Sequence, residues 1–329
     1  MATIENDDVV RTRTGSAATS TFVVGDFPRR PWLVIGLGAL GGFLLTVIWS
    51  AAFVDRTIGD NIANTLLGHD AKATPIAGIG AGIAFAFVSG LACTFTACNV
   101  AAFSAVGPLL SGSAQTESRT ARLARTLRPL GWLAVGMVAI SALYGAIVGI
   151  FGTSMPQFQQ SVRLVPGTLP PVLAQSVVVF GVIGVVLIYL GLAATGLVPD
   201  PFRRIAARWP NAPLVFMGVL IGGLLIGRPF ALFRTMFRDA AESNNVIYGA
   251  AAFVLQSLGN VAAMAIIFLL LVYGTRGRLQ RWIAAEPGRL AVILAASFIA
   301  AGVFTLLYWD LRVLSLVEIV PWYPMAPWR

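Results

Sequence analysis

The chain has 329 residues, 57% of them hydrophobic and only 11% charged, with a mean hydropathy of +0.81. A soluble domain carries roughly 25% charged residues, so this composition excludes a chain whose surface lies mostly in water. The formal charge of +9 would suit a nucleic-acid partner, but the basic residues sit between apolar blocks and form no patch, so nucleic acid is set aside in favour of a lipid bilayer.

Residues 1–30 form a polar arm rich in Ser, Thr, Asp and Glu, without the apolar periodicity that would predict a fold of its own. Arg29 and Arg30 then precede an apolar run from Trp32 to Val54. Ser50-Ala51-Ala52 resembles a cleavage site, but the run is too long for the apolar core of an export signal. The expectation is a retained anchor helix over 31–54.

A bilayer-spanning helix needs about 20 mainly apolar residues. Segments 32–54, 75–110, 130–153, 170–194, 213–236, 246–273 and 289–309 meet that need, which predicts about seven crossings in an all-α integral membrane protein. The second segment exceeds one straight crossing and is rich in Gly, Ala and Ser, as a tilted, broken or partly re-entrant helix would be. The basic stretch Ser113–Arg128 reads equally as an amphipathic interfacial helix or as a loop.

Cytoplasmic connections carry the excess of Arg and Lys. Here Arg11, Arg13, Arg29 and Arg30, then Arg119 to Arg128, then Arg203, Arg204 and Arg208, then Arg276 to Arg289 alternate with basic-poor connections. The pattern predicts an N-terminus in the cytoplasm and a C-terminus outside; the expected location is a bacterial inner membrane. Trp32, Trp132, Trp209 and Trp282 fall at the predicted inner edge, and Trp49, Trp309, Trp322 and Trp328 towards the outer one, as interfacial indoles do. Residues 310–329 are expected to form a Trp- and Pro-rich tail on the outer surface.

Three polar groups within the crossings are candidates for chemistry. The first is Cys93, Cys98 and Asn99, with Thr94 and Thr96, in the second crossing. A cysteine in a membrane helix is usually a small packing residue, but polar groups at depth are costly unless used. On a continuous helix Cys93 and Cys98 would be about 7.5 Å apart in rise and about 140° in rotation. They can bond to each other only where the helix is broken. The second is Gly227-Arg228-Pro229-Phe230 in the fifth crossing; proline removes a backbone donor and bends the helix, and Arg228 either snorkels to headgroups or faces the bundle as an anion or gating residue. The third is Gln256, Ser257 and Asn260 in the sixth, residues that more often join helices than bind ligands. The single histidine, His69, rules out a bis-histidine haem and leaves a single axial ligand as the open alternative; otherwise neither a metal site nor a cofactor is expected.

At the first two motifs the chain resembles the transmembrane electron carriers of the cytochrome c biogenesis type, the CcdA/DsbD family. Phe95-Thr96-Ala97-Cys98 is similar to that family's Thr-Pro-Cys-like motif, with Ala97 in place of proline. Ile226-Gly227-Arg228-Pro229-Phe230 is similar to its second motif, with Phe230 where the second cysteine belongs. The resemblance implies six core helices over 75–309 in two inverted three-helix repeats, with 31–54 as an addition. It also implies relay of thiol reducing equivalents outwards from thioredoxin-like proteins. Without a thiol at position 230 the interhelical disulfide cannot form, so either Cys93 resolves Cys98 or the relay is lost. Two further readings stand beside the thiol carrier: an accessory subunit of a larger respiratory or photosynthetic membrane complex, and a small-solute transporter gating around Cys98 and Arg228.

Overall fold

The computed structural model describes residues 19–20, 23–24, 27–50, 52–93, 119–158, 165–227, 231–274, 278, 282, 285–286 and 288–324. Apart from a two-residue pairing of Thr19–Ser20 with Val23–Val24, these residues are helical or connect helices. The long helices are α1 (Pro31–Ile48), α3 (Gly78–Cys93), α4 (Arg119–Phe151), α5 (Pro171–Thr195), α7 (Ala212–Gly227), α9 (Val246–Gly274) and α10 (Arg289–Thr305). Shorter ones are α2 (Asp60–Leu67), α6 (Arg203–Arg208), α8 (Ala231–Glu242) and α11 (Arg312–Leu316).

Among the described residues five helices are long and apolar enough to cross a membrane, or six if the bent pair α7–α8 is one span. The apolar helix Gly78–Ala92 is shorter, and residues 94–110 of the predicted segment lie outside the described residues. Lipid explains what these helices show to the outside: Leu37 and Leu44 on α1, and Val178, Val182 and Val185 on α5, are all exposed. Such a surface in water would be an aggregation site.

Two expectations change. The helix of α4 starts at Arg119, so the part of the basic stretch from Arg119 to Arg128 is continuous with the third crossing. The last helix does not stop at 309. It passes through a π-helical turn, Leu306–Leu311, into α11, giving an apolar span from Arg289 to Leu316. A single acid and a single arginine at 310 and 312 lower the local hydropathy without ending the helix, because the backbone bonds persist.

The helices pack in a row: α3 on α9, α9 on α4, α4 on α7, α7 on α5, α5 on α10 and α10 on α1. Glycines set the close approaches. A Cβ on Gly90 would lie 1.9 Å from the Gln256 carbonyl oxygen, and one on Gly259 2.1 Å from that of Phe87. At the α4–α7 seam, Gly136 and Gly218 would each meet a carbonyl oxygen at 2.0 Å, those of Val215 and Leu133. Further along each seam Gly82 meets Tyr248 where Gly90 meets Gln256, and Gly136 meets Val215 where Ile140 meets Gly222, so α3 runs parallel to α9 and α4 parallel to α7. Gly145 faces Gly249 while Gly149 faces Asn245, and Gly184 faces Gly302 while Gly191 faces Ala295. Those pairs, α4 with α9 and α5 with α10, are antiparallel. Small residues let membrane helices gain dispersion contacts that larger ones would block.

Two apolar cores result. One joins α4, α5, α7 and α10 through Leu133, Met137, Phe180, Met217 and Phe298. The other gathers Phe85, Tyr144, Phe233, Phe237 and Phe253 around α8. Outside the spans, Asp70 accepts hydrogen bonds from the amides of Lys72 and Ala73. These bonds, Lys72 first, hold its carboxyl below the usual range.

Candidate functional site

Helix α7 ends at Gly227, and the axis of the following helix turns by 83°. A helix that stops inside the bundle leaves carbonyls without amide partners, and in hydrocarbon each unmade bond costs several kcal/mol. Side chains from elsewhere supply the donors. Gln175 Nε2 donates to the Ile226 carbonyl at 3.0 Å, and Ser176 Oγ to the Gly227 carbonyl at 2.7 Å. Gln157 Nε2 also donates to the Ile226 carbonyl. Tyr144 hydroxyl donates to Gln157 Oε1 at 2.9 Å and accepts from Gln175 Nε2 at 3.2 Å. Tyr144 is itself held edge-on to Phe253, with centroids 5.3 Å apart. Three separate chain regions therefore meet at one helix end: α4, the 3₁₀ turn Pro156–Phe158 and the first turns of α5.

An apolar bridge leads from this end to a buried acid. A Cβ on Gly227 would lie 2.9 Å from the Phe180 ring, and Phe180 stacks on Trp309 at 4.5 Å and 11°. Next along the π-turn is Asp310, only 8% exposed. Its Oδ2 would lie 3.3 Å from a Cβ on Gly181, and its Oδ1 has no hydrogen-bond partner among the described residues. Neither α1 nor α5, both packed against this turn, contains a charged residue. Arg312 turns to Tyr308, donating to its hydroxyl at 3.1 Å. π-Turns often mark functional positions.

Of the residues singled out from sequence, Cys98, Asn99, Arg228 and Pro229 lie outside the described residues, as does Phe230. Cys93 is the last residue of α3. Gln256, Ser257 and Asn260 are buried in α9, and the structure brings them against α3. Gln256 Nε2 donates to Ser89 Oγ at 3.3 Å, next to Gly90 and four residues before Cys93. Ser257 shares a 2.6 Å hydrogen bond with Ser141 of α4. These bonds join α3, α9 and α4 near the C-terminal end of α3.

Sequence reasoning missed Tyr144, Gln157, Gln175, Ser176 and Asp310. The glutamines look like ordinary polar residues near helix ends, and only the end of α7, 51 residues after Gln175 and 69 after Gln157, gives them these partners. Asp310 falls one residue beyond the predicted end of the last crossing.

A separate cleft of about 620 Å³ opens between α3, α8 and α9, where Tyr248 donates to Asp239 Oδ2 at 2.5 Å and Glu242 lies at the rim. Among the described residues no three His, Cys, Asp or Glu side chains are placed to hold a metal ion. No protein-family model, curated protein or solved structure matches the chain.

Proposed function

We propose that this chain is a membrane carrier on the scaffold of the thiol–disulfide electron carriers it resembles, with Cys93 and Cys98 as its redox pair. The observation that carries this reading is the end of α7 at Gly227, held within the bundle by Gln175 and Ser176. It falls at the second of the two motifs on which the resemblance rests, and carriers place discontinuous helices where cargo passes. Helix pairing supports two inverted repeats, α3–α4–α5 and α7–α9–α10. The first helix of each packs in parallel on the second helix of the other, while the two second helices and the two third helices pair antiparallel. A two-fold axis in the membrane plane generates those relations.

In this reading the arginine-rich edge faces the cytoplasm. Cys98 attacks a partner disulfide to form a mixed disulfide and release one partner thiol, and Cys93 then attacks the Cys98 sulfur and releases the other. Two electrons and two protons leave with the partner's dithiol, and a Cys93–Cys98 disulfide remains for a thioredoxin-like protein to reduce. The test is alkylation of the purified protein followed by mass spectrometry. Oxidation is expected to block both cysteines and reductant to reopen them; two cysteines that stay open under oxidant rule the chemistry out.

Asp310 favours a second reading. A buried acid joined to the end of α7 through the Phe180 and Trp309 rings, with Arg228 following that end in sequence, suits a small-solute transporter. That reading expects a solute to raise the thermal midpoint of the native chain but not of Arg228→Ala. A panel of solutes that moves both proteins alike removes it.

A further inference from the structure

We propose that the cleft between α4, α6 and α7 is a binding site for an anionic phospholipid, with an acyl chain in the cleft and the phosphate on the arginines of α6. The site begins with the sequence of α6. Phe202, Ile205 and Trp209 recur at spacings of three and four, which places them on one side of a short helix, while Arg203, Arg204 and Arg208 fall outside that stripe. Such a helix lies flat at a membrane surface, apolar side inwards and cations towards the headgroups.

The apolar side covers a cleft of about 490 Å³. Phe202, Ile205 and Trp209 form its roof, Trp132 of α4 one wall, and Phe216 and Val219 of α7 another. The Phe202 and Phe216 rings, with centroids 4.4 Å apart, hold α6 onto α7. The volume is in the range of small-molecule pockets, enough for a length of acyl chain. The lining leaves Trp209 66%, Ile205 48% and Trp132 36% exposed, and indoles at this level mark the depth of the headgroup boundary.

Charge decides which lipid. Arg128, Arg203, Arg204 and Arg208 are exposed and form no ion pair among the described residues. Nearby Asp200 already accepts the Phe202 amide at 2.9 Å. A phosphate with no cation of its own answers this surplus. A choline headgroup would bring a second positive charge to the same place.

Native mass spectrometry tests the site, using the full chain from micelles holding equal phosphatidylglycerol and phosphatidylcholine. Arginines near a membrane surface favour anionic lipid, so retention of phosphatidylglycerol is expected to exceed that of phosphatidylcholine by at least about tenfold. The variant R203Q/R204Q/R208Q should lose most of that preference. Val219→Trp, which fills the cleft and leaves the charges, should lower retention of phosphatidylglycerol, and soluble glycerol phosphate should not displace the lipid. Equal retention of the two lipids by the native protein overturns the proposal, even if a variant fails to fold. So does a preference untouched by both variants, displacement by glycerol phosphate, or a peptide or protein in the cleft where lipid is expected.

Discussion

Glycine is the residue on which helix spacing depends, and its role differs from site to site. At Gly90 a methyl group would enter the Gln256 carbonyl at 1.9 Å, whereas at Gly36 it would meet nothing within 4 Å. Backbone cannot step aside as a side chain can. Gly90→Ala is therefore expected to lower stability by about 1–3 kcal/mol through forced separation of α3 and α9. Gly36→Ala should raise it by about 0.5–1 kcal/mol, since alanine loses less entropy in a helix. Unfolding titrations in mixed micelles compare the two, and equal effects would mean that α3 and α9 do not approach as closely as described. The glycines were legible as a composition, but not their partners, because closeness between helices far apart in sequence leaves no local pattern. Asp310 was hidden for the opposite reason. Read locally, an acid two residues before an arginine looks like the start of a tail, and only the continuing helix makes it a buried group. At Asp70, bonded to amides in the loop after α2, the sign is simple. A carboxyl held low supports the loop at neutral pH, and that support fades as acid protonates it.

Elements were easier to read than the joints between them. Hydropathy alone located α1, α4, α5, α9 and α10, since a spanning helix must be long and apolar whatever it packs against. The proline in the fifth segment led to the expectation of a bend there, but not of an 83° turn between α7 and α8 with the helix end capped by another helix. The cap is what makes such a turn tolerable in hydrocarbon. Ser176 gives its hydroxyl proton to the Gly227 carbonyl at 2.7 Å while also lying 3.2 Å from its own helix's Val172 carbonyl. Ser176→Ala removes the donor and leaves a buried carbonyl unbonded, at a cost of about 1–3 kcal/mol. Ser176→Thr keeps the hydroxyl and should retain most of the stability. The same unfolding titration separates the variants. If Ser176→Ala is neutral, the end of α7 is satisfied by other means and the capping network does not hold it.

At the scale of the whole molecule, the proposed repeats and the arginine pattern make one joint demand: the ends of α4 and of α5 must lie on opposite faces of the membrane. Arg119–Phe151 is 33 residues long, roughly 50 Å of helix, which exceeds a hydrocarbon core of about 30 Å. The symmetry is incomplete. The contact between α5 and α7 has no comparable counterpart between α10 and α3 among the described residues, and α1 packs on α10 instead. If the proposed repeats hold, α1 is an addition to one of them, and the pairing departs from two-fold on that side. The topology can be read without reference to function. On a Cys93→Ser/Cys98→Ser background, single cysteines at Thr168, before α5, and at Ala207, in α6, both fall at exposed positions. In intact cells an impermeant maleimide should label Thr168→Cys, and should label Ala207→Cys only after permeabilisation. Charge sets this orientation, because arginine-rich connections resist translocation. Replacing Arg203, Arg204 and Arg208 together should weaken it without reversing it, since the arginines before α1 and those of α4 remain. Labelling of both sites from the same side would remove the inverted arrangement, and with it the structural support for a thiol carrier.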